Sequence, residues 1–108
     1  MQKLAHAGHF HPPEQGDTTH YEEHLRTASL SVGTYSIPQG GIDDQAPHHE
    51  DEIYVVRSGL ADLLTPSGKV SVGAGDVLFV PAEEEHRFVD IVEDLTVLVV
   101  VAAPHTGP

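Results

Sequence analysis

The chain has 108 residues, enough for one ordinary domain with a single core and too few for two. Seventeen acidic and five basic side chains give a formal net charge of −12, which excludes nucleic acid and anionic membrane surfaces as expected partners. Cysteine is absent. Disulfides, thiolate nucleophiles and Cys-ligated metals are therefore excluded, and any metal must bind to imidazole and oxygen ligands.

The N-terminal part of the chain differs in composition from the rest. Residues 1–20 hold four histidines, two prolines and two glycines, with almost no apolar residue after Phe10. This composition predicts a flexible tail on a folded domain of residues 21–108. His6, His9 and His11 could chelate metal loosely, but we interpret them as incidental. The chain shows neither a long apolar run nor the apolar core of a signal peptide, so we expect a soluble, cytoplasmic protein.

From Tyr21 onward, short apolar runs alternate with Gly, Pro or charged breaks every eight to twelve residues. This rhythm is typical of antiparallel sandwiches and barrels, so the fold is predicted to be all-β. The runs are 30–37, 53–56, 60–64, 70–72, 77–80, 88–92 and 95–103. The turn at residues 66–68 predicts a hairpin between 60–65 and 69–72. The run 95–103 is apolar on both faces and should be covered on both sides, within a barrel or by a partner subunit.

Two stretches, 45–59 and 75–90, combine histidine and carboxylate with a strand pattern. In a strand through residues 46–54, alternate side chains share a face, so His48, Glu50, Glu52 and Tyr54 would point the same way. His86 follows an acidic turn at 83–85 and begins the next apolar strand. It could therefore lie opposite His48 and Glu52.

These two stretches resemble the two motifs of the cupin superfamily. Gly41, His48, Glu52 and Gly59 lie in the order of the first motif, with Ala46 at the position of its first histidine. In the second motif Gly75, Pro81 and His86 match, while Glu83 stands for a glycine and Asp90 for an asparagine. With flanking strands, the resemblance extends over about residues 21–103.

The resemblance implies a double-stranded β-helix, or jelly-roll barrel, with one divalent transition metal bound inside by His48, Glu52 and His86. Two imidazoles and a carboxylate suit Fe, Mn, Ni or Zn. Without a histidine at Ala46, either three ligands suffice or Gln45, His49 or Glu50 completes the set. We favour three, because His49 has the opposite strand parity and Glu50 would add a second negative charge. A metal-free cupin with a vestigial site is the alternative.

The expected function is that of a metal-dependent enzyme acting on a small organic molecule, with oxygenase-type chemistry favoured by the ligand types. An isomerase or lyase, in which Glu50 or Tyr54 would transfer protons, is one alternative. A non-catalytic module that binds a small ligand is another. The apolar terminal strand and open sheet edges predict a homodimer.

Overall fold

The computed structural model describes residues 1–45 and 47–103, which contain six strands and no helix. The strands are β1 (His20–Arg26), β2 (Leu30–Ile37), β3 (Glu52–Thr65), β4 (Gly68–Gly73), β5 (Val77–Val80) and β6 (Arg87–Ala102). The predicted all-β class is confirmed. A search of the described residues finds no helix with the length and apolar character needed to cross a membrane.

All strand pairs are antiparallel, and their order in the sheet is β1-β2-β6-β3-β4, with β5 on β3. Both halves of β3 pair with β6, while β5 and β4 pair with its first and second halves. The predicted hairpin is confirmed, since Thr65 pairs with Gly68. Strand β3 thus connects the β1-β2-β6 part of the barrel to its β4 end.

Two long bent strands replace four of the predicted short ones. The runs 53–56 and 60–64 are parts of β3, and 88–92 and 95–103 are parts of β6. At the bend in β3, Gly59 has a φ of 97°, and the pairing with β6 shifts register around it. A Cβ on Gly59 would lie 2.7 Å from the Leu95 Cα. Glycine therefore lets β6 approach closely and lets the strand bend without ending.

The inner face of the barrel holds a single apolar core. Alternation along each strand places every second side chain inside. The buried members are Tyr35, Ile37, Tyr54, Val56, Ala61, Leu63, Val72, Val80, Phe88, Ile91, Leu95, Val97 and Val99. The run 95–103 was predicted to be covered on both faces; it is mostly buried from Leu95 to Val99, whereas Ala102 and Ala103 are exposed.

Residues 1–19 form no strand but lie against the outer face of β1 and β2. The Gly8 N–H donates to Thr34 Oγ1 at 2.8 Å, and the His11 N–H donates to Ser36 Oγ at 3.1 Å. Composition could not reveal these contacts, because they join backbone N–H groups to hydroxyl groups. The domain boundary at residue 20 stays a prediction.

Candidate metal centre

Glu52 opens β3 and points into the barrel beside the core residues Tyr54 and Val56. It is 2% exposed, and neither carboxylate oxygen has a hydrogen-bond partner. The neighbouring basic group is His48, whose Nδ1 lies 3.2 Å from Glu52 Oε1. A buried carboxylate is costly unless a cation or hydrogen-bond donors compensate it. The interior of the barrel thus presents a buried carboxylate without a hydrogen-bond partner next to an imidazole.

His48 reaches Glu52 by a route that differs from the prediction. The strand begins only at Glu52, so His48 lies in a loop and strand parity does not orient it. The loop is instead held by its backbone, because the His48 carbonyl accepts a hydrogen bond from the Glu83 N–H at 2.7 Å. The His48 side chain remains 40% exposed and faces Glu52.

His86 lies just before β6 and is 5% exposed. Its Nδ1 is 2.8 Å from the Glu84 carbonyl, which can only accept, so Nδ1 carries the proton. Nε2 consequently carries the lone pair of the ring, which accepts a hydrogen bond from the Tyr54 hydroxyl at 2.8 Å. A backbone carbonyl that fixes the tautomer in this way is a common second partner of metal-binding histidines. The His48 and His86 ring centroids are 6.0 Å apart.

Tyr54 lies at the centre of this group. Burial, and after it the charge of Glu52, raises the pKa of Tyr54 well above its usual value, so the phenol stays protonated and donates. Gln45 Oε1 is a second acceptor, 3.4 Å from the Tyr54 hydroxyl. The hydroxyl therefore has an alternative acceptor if His86 Nε2 binds a metal.

The three predicted ligands are neighbours, but the structure does not assemble them around one point. His48, Glu52 and Tyr54 line a cavity of about 610 Å³ together with Glu50. His86 lines a smaller cavity of about 430 Å³. Their donor atoms do not form a group within 4.8 Å of one another, as a compact metal site would require. For one metal to bind all three residues, His86 Nε2 would have to give up its hydrogen bond to the Tyr54 hydroxyl and coordinate the metal instead.

The proposed substitutes for the missing histidine are placed differently. His49 is 82% exposed and its Nδ1 is 2.7 Å from Glu83 Oε1, a contact that raises the pKa of His49. It is engaged with Glu83 rather than with Glu52. Glu50 is half-buried and lines the larger cavity, whereas Gln45 donates its amide to Asp43 at 2.8 Å. Ala46, at the position of the missing histidine, lies outside the described residues.

Asp43 is an important residue that sequence reasoning missed. It is 3% exposed and accepts from the Tyr35 hydroxyl at 2.6 Å and the Phe88 N–H at 2.8 Å, in addition to Gln45. Burial, followed by the hydrogen bond to Asp43, raises the pKa of Tyr35. Asp43 thus ties the loop before β3 to β2 and β6. No local pattern distinguishes it from Asp44, which is exposed.

The backbone retains the shape of the motifs where the residue types depart from them. Glu83 and Asp90, at the motif's glycine and asparagine positions, have positive φ values of 69° and 50°. In the first motif five residues separate the glycine from the first histidine; five residues separate Gly40 from Ala46 but only four separate Gly41 from it, and Gly40 has a φ of 71°. Our assignment of Gly41 is therefore corrected to Gly40.

Comparison with known proteins agrees with this fold. The family model described as a cupin domain matches residues 33–101. A protein of Streptomyces coelicolor described as uncharacterized is 42% identical over 86 residues, covering 80% of this chain and 82% of that protein. The chain belongs to the cupin family, as the sequence predicted.

Many solved structures are similar in fold, and two of them serve as examples. The structure of KdgF from Halomonas sp. has a TM-score of 0.74 at 17% identity, covering 86% of this chain and 87% of that one. A predicted oxalate decarboxylase from Thermotoga maritima has a TM-score of 0.67 at 22% identity, covering 79% and 80%. At these identities the likeness concerns the fold, and it supports the jelly-roll barrel.

Proposed function

We propose that this cupin binds one divalent transition metal at His48, Glu52 and His86 and acts on a small organic molecule. The observation that carries the proposal is Glu52, a buried carboxylate without a hydrogen-bond donor beside an imidazole. Two imidazoles and a carboxylate fit Fe, Mn, Ni or Zn and leave coordination positions for substrate. When bound, the metal would supply Lewis-acid or redox chemistry.

The cavity supports a small substrate that is neutral or cationic. Its volume of about 610 Å³ is that of an ordinary small-molecule site. Its carboxylates are Glu23, Asp44, Glu50 and Glu52, against the single guanidinium of Arg26. Arg26 already pairs with Glu23 at 2.7 Å. This balance disfavours an anionic substrate that is held by the protein alone.

We favour oxygenase-type chemistry among the possible reactions, on the ligand types alone. In an isomerase or lyase, Tyr54 would hold a proton at its hydroxyl and Glu50 would accept one from the substrate. A non-catalytic module that binds a small ligand in the same cavity is the second candidate, favoured by the incomplete assembly of the three ligands. A cytoplasmic location stays a prediction.

The direct test is metal content and thermal unfolding after anaerobic loading with Fe²⁺, for the wild type, His86→Ala and Glu52→Gln. A metal at about a hundred times its Kd stabilises the folded state by about 2.7 kcal/mol. In a domain of this size that raises Tm by roughly 10 °C or more. We expect the wild type to bind about one equivalent of iron more than either variant, and to show this rise where both variants lack it.

His49→Ala is the matched control, because it removes an exposed histidine that is bonded to Glu83. It should load like the wild type. Equal loading of the wild type and Glu52→Gln would refute the site. Oxygen consumption by the iron-loaded protein with candidate substrates then separates the two functions, since a binding module consumes none.

A further inference from the structure

A second group of potential metal ligands lies on the outside of the barrel. Residues 1–19 and the outer face of β1 and β2 enclose a cavity of about 420 Å³. Tyr35 of β2 points into the core. Because side chains alternate along a strand, its neighbours Thr34 and Ser36 point outward and line this cavity. The cavity is lined by His6, His9, Phe10, His11, His20, Glu22, His24, Thr34 and Ser36.

His11 and His20, which line this cavity, lie close to a third potential ligand, Glu14. One ligand atom each from His11, Glu14 and His20 lies within 4.8 Å of the others. The His11 and His20 rings stack with their centroids 4.0 Å apart and an interplanar angle of 24°. The N-terminal segment and strand β1 thus both contribute to this cluster, because His20 is the first residue of β1.

Each of the two rings offers a nitrogen to a ligand. His11 Nδ1 lies 2.7 Å from the Pro12 carbonyl, which fixes its proton there and leaves Nε2 as a donor to metal. His20 Nε2 is buried and has no hydrogen-bond partner. A buried nitrogen without a partner is costly, and a bound cation would compensate it.

We propose that His11, Glu14 and His20 form a second metal site, which binds a divalent cation such as Zn²⁺ and is separate from the barrel interior. Two imidazoles and a carboxylate match the donors that Zn²⁺ prefers, and water or a further histidine lining the cavity completes a tetrahedral set. Because His11 and Glu14 precede β1 whereas His20 begins it, the cation clamps the N-terminal segment to the sheet. A histidine-rich tail with no defined partner would not place a carboxylate and a strand residue in the same group.

The test is a calorimetric titration of the full chain with Zn²⁺ alone, in the Glu52→Gln/His86→Ala background, which removes the barrel site. We expect one equivalent to bind in this background. Adding His11→Ala and His20→Ala should weaken that binding at least tenfold, whereas adding His49→Ala should leave it unchanged. No Zn²⁺ binding in the background, or a change under threefold on removing His11 and His20, would overturn the proposal.

A second readout locates the ion independently of affinity. In amide NMR spectra of the Glu52→Gln/His86→Ala background, Zn²⁺ should shift resonances of residues near His11, Glu14 and His20 and leave those near Tyr54 in place. Shifts that spread around Tyr54 instead would refute an outer site. Because the barrel ligands are already removed, a failure of the barrel proposal leaves this result unaffected.

Discussion

Two buried carboxylates show how differently this protein treats the same chemical group. Asp43 accepts hydrogen bonds from a phenol, an amide side chain and backbone N–H groups, whereas both oxygens of Glu52 lack a donor. Hydrogen bonds to a charged acceptor stabilise the folded state, whereas a buried acceptor without a hydrogen bond destabilises it. Asp43 therefore serves the fold, while Glu52 is available to a ligand.

Replacing Asp43 by Asn should destabilise the protein strongly. The side-chain NH₂ that Asp43→Asn introduces would face donors that need an acceptor, so at least one buried hydrogen bond to Tyr35, Gln45 or Phe88 is lost. We expect a loss of about 3 kcal/mol in the free energy of unfolding, measured by denaturant titration. The neighbouring Asp44→Asn, at an exposed site, should change it by less than about 0.5 kcal/mol. Equal effects would contradict the assigned role.

The Tyr54 hydroxyl competes with a metal for His86 Nε2. In Tyr54→Phe that bond is absent, so the metal-free protein should lose about 1 kcal/mol of stability. In this variant a metal no longer has to displace that hydrogen bond. The affinity of the barrel site for Zn²⁺, measured by competition titration, should therefore rise roughly fivefold. Tyr21→Phe, which removes another hydroxyl from the same cavity, is the control. A fall in affinity would instead mean that Tyr54 helps to hold the metal.

At the scale of the strand, the bend in β3 is what lets one element line the site and also pair with β4. The first half carries Glu52 and Tyr54, and the second half pairs with the hairpin partner beyond Gly59. The sequence marked Gly59 as a break, because glycine and a polar neighbour usually end a strand. The sequence could not show that β6 stays paired with β3 across the register shifts at this bend, since that depends on distant pairing.

Gly59→Ala should be far more harmful than Gly40→Ala. Both glycines have positive φ, 97° and 71°, so each alanine incurs backbone strain of about 1–2 kcal/mol. A Cβ at Gly40 meets nothing within 4 Å, whereas at Gly59 it clashes with the backbone of Asp94 and Leu95. We expect Gly59→Ala to lose more than about 3 kcal/mol by thermal unfolding and Gly40→Ala to lose only the strain. Similar losses would show that close approach of β6 is unimportant.

The sequence predicted the class of fold, two strands to the residue, the hairpin and the neighbourhood of His48, Glu52 and His86. These features depend on local periodicity, turn residues and motif spacing. It missed β1, whose residues alternate weakly and are mostly polar or charged, and it missed Asp43, whose role depends on partners 8 and 45 residues away. The ligand roles themselves stay predictions. The outer histidine cluster escaped because no spacing rule links His11 to His20.

At the scale of the whole molecule, the outer surface has two different characters. The N-terminal segment covers the hydroxyls of β2, while the outer face of β3 and β5 is apolar and uncovered. Ile53 pairs with Phe79 and Val55 with Val77 across these strands, and Val77 and Phe79 are 65% and 61% exposed. A contiguous apolar patch of this kind is typical of an interface.

We propose that this patch joins two copies of the chain, in keeping with the homodimer expected from the sequence. Phe79→Lys should convert the dimer to a monomer, because a charge would be buried in an apolar interface. Light scattering coupled to gel filtration gives the mass directly. Val70→Lys, at an exposed valine of β4, should leave the dimer intact. A monomeric wild type, or a Phe79→Lys variant that stays dimeric, would refute the interface.

The pairing of β2 with β6 also dictates when the protein can fold. Leu30 is registered with Ala102, so the barrel closes only when the last strand has been synthesised. Chains dominated by such distant contacts refold on the order of milliseconds to seconds, because loop closure must precede the stabilising contacts. A nascent chain would therefore leave the ribosome with the apolar residues of β3 still uncovered, and stopped-flow refolding should show this slow closure. During translation we therefore expect the apolar surface of β3 to stay open to aggregation until residues 87–102 have been synthesised.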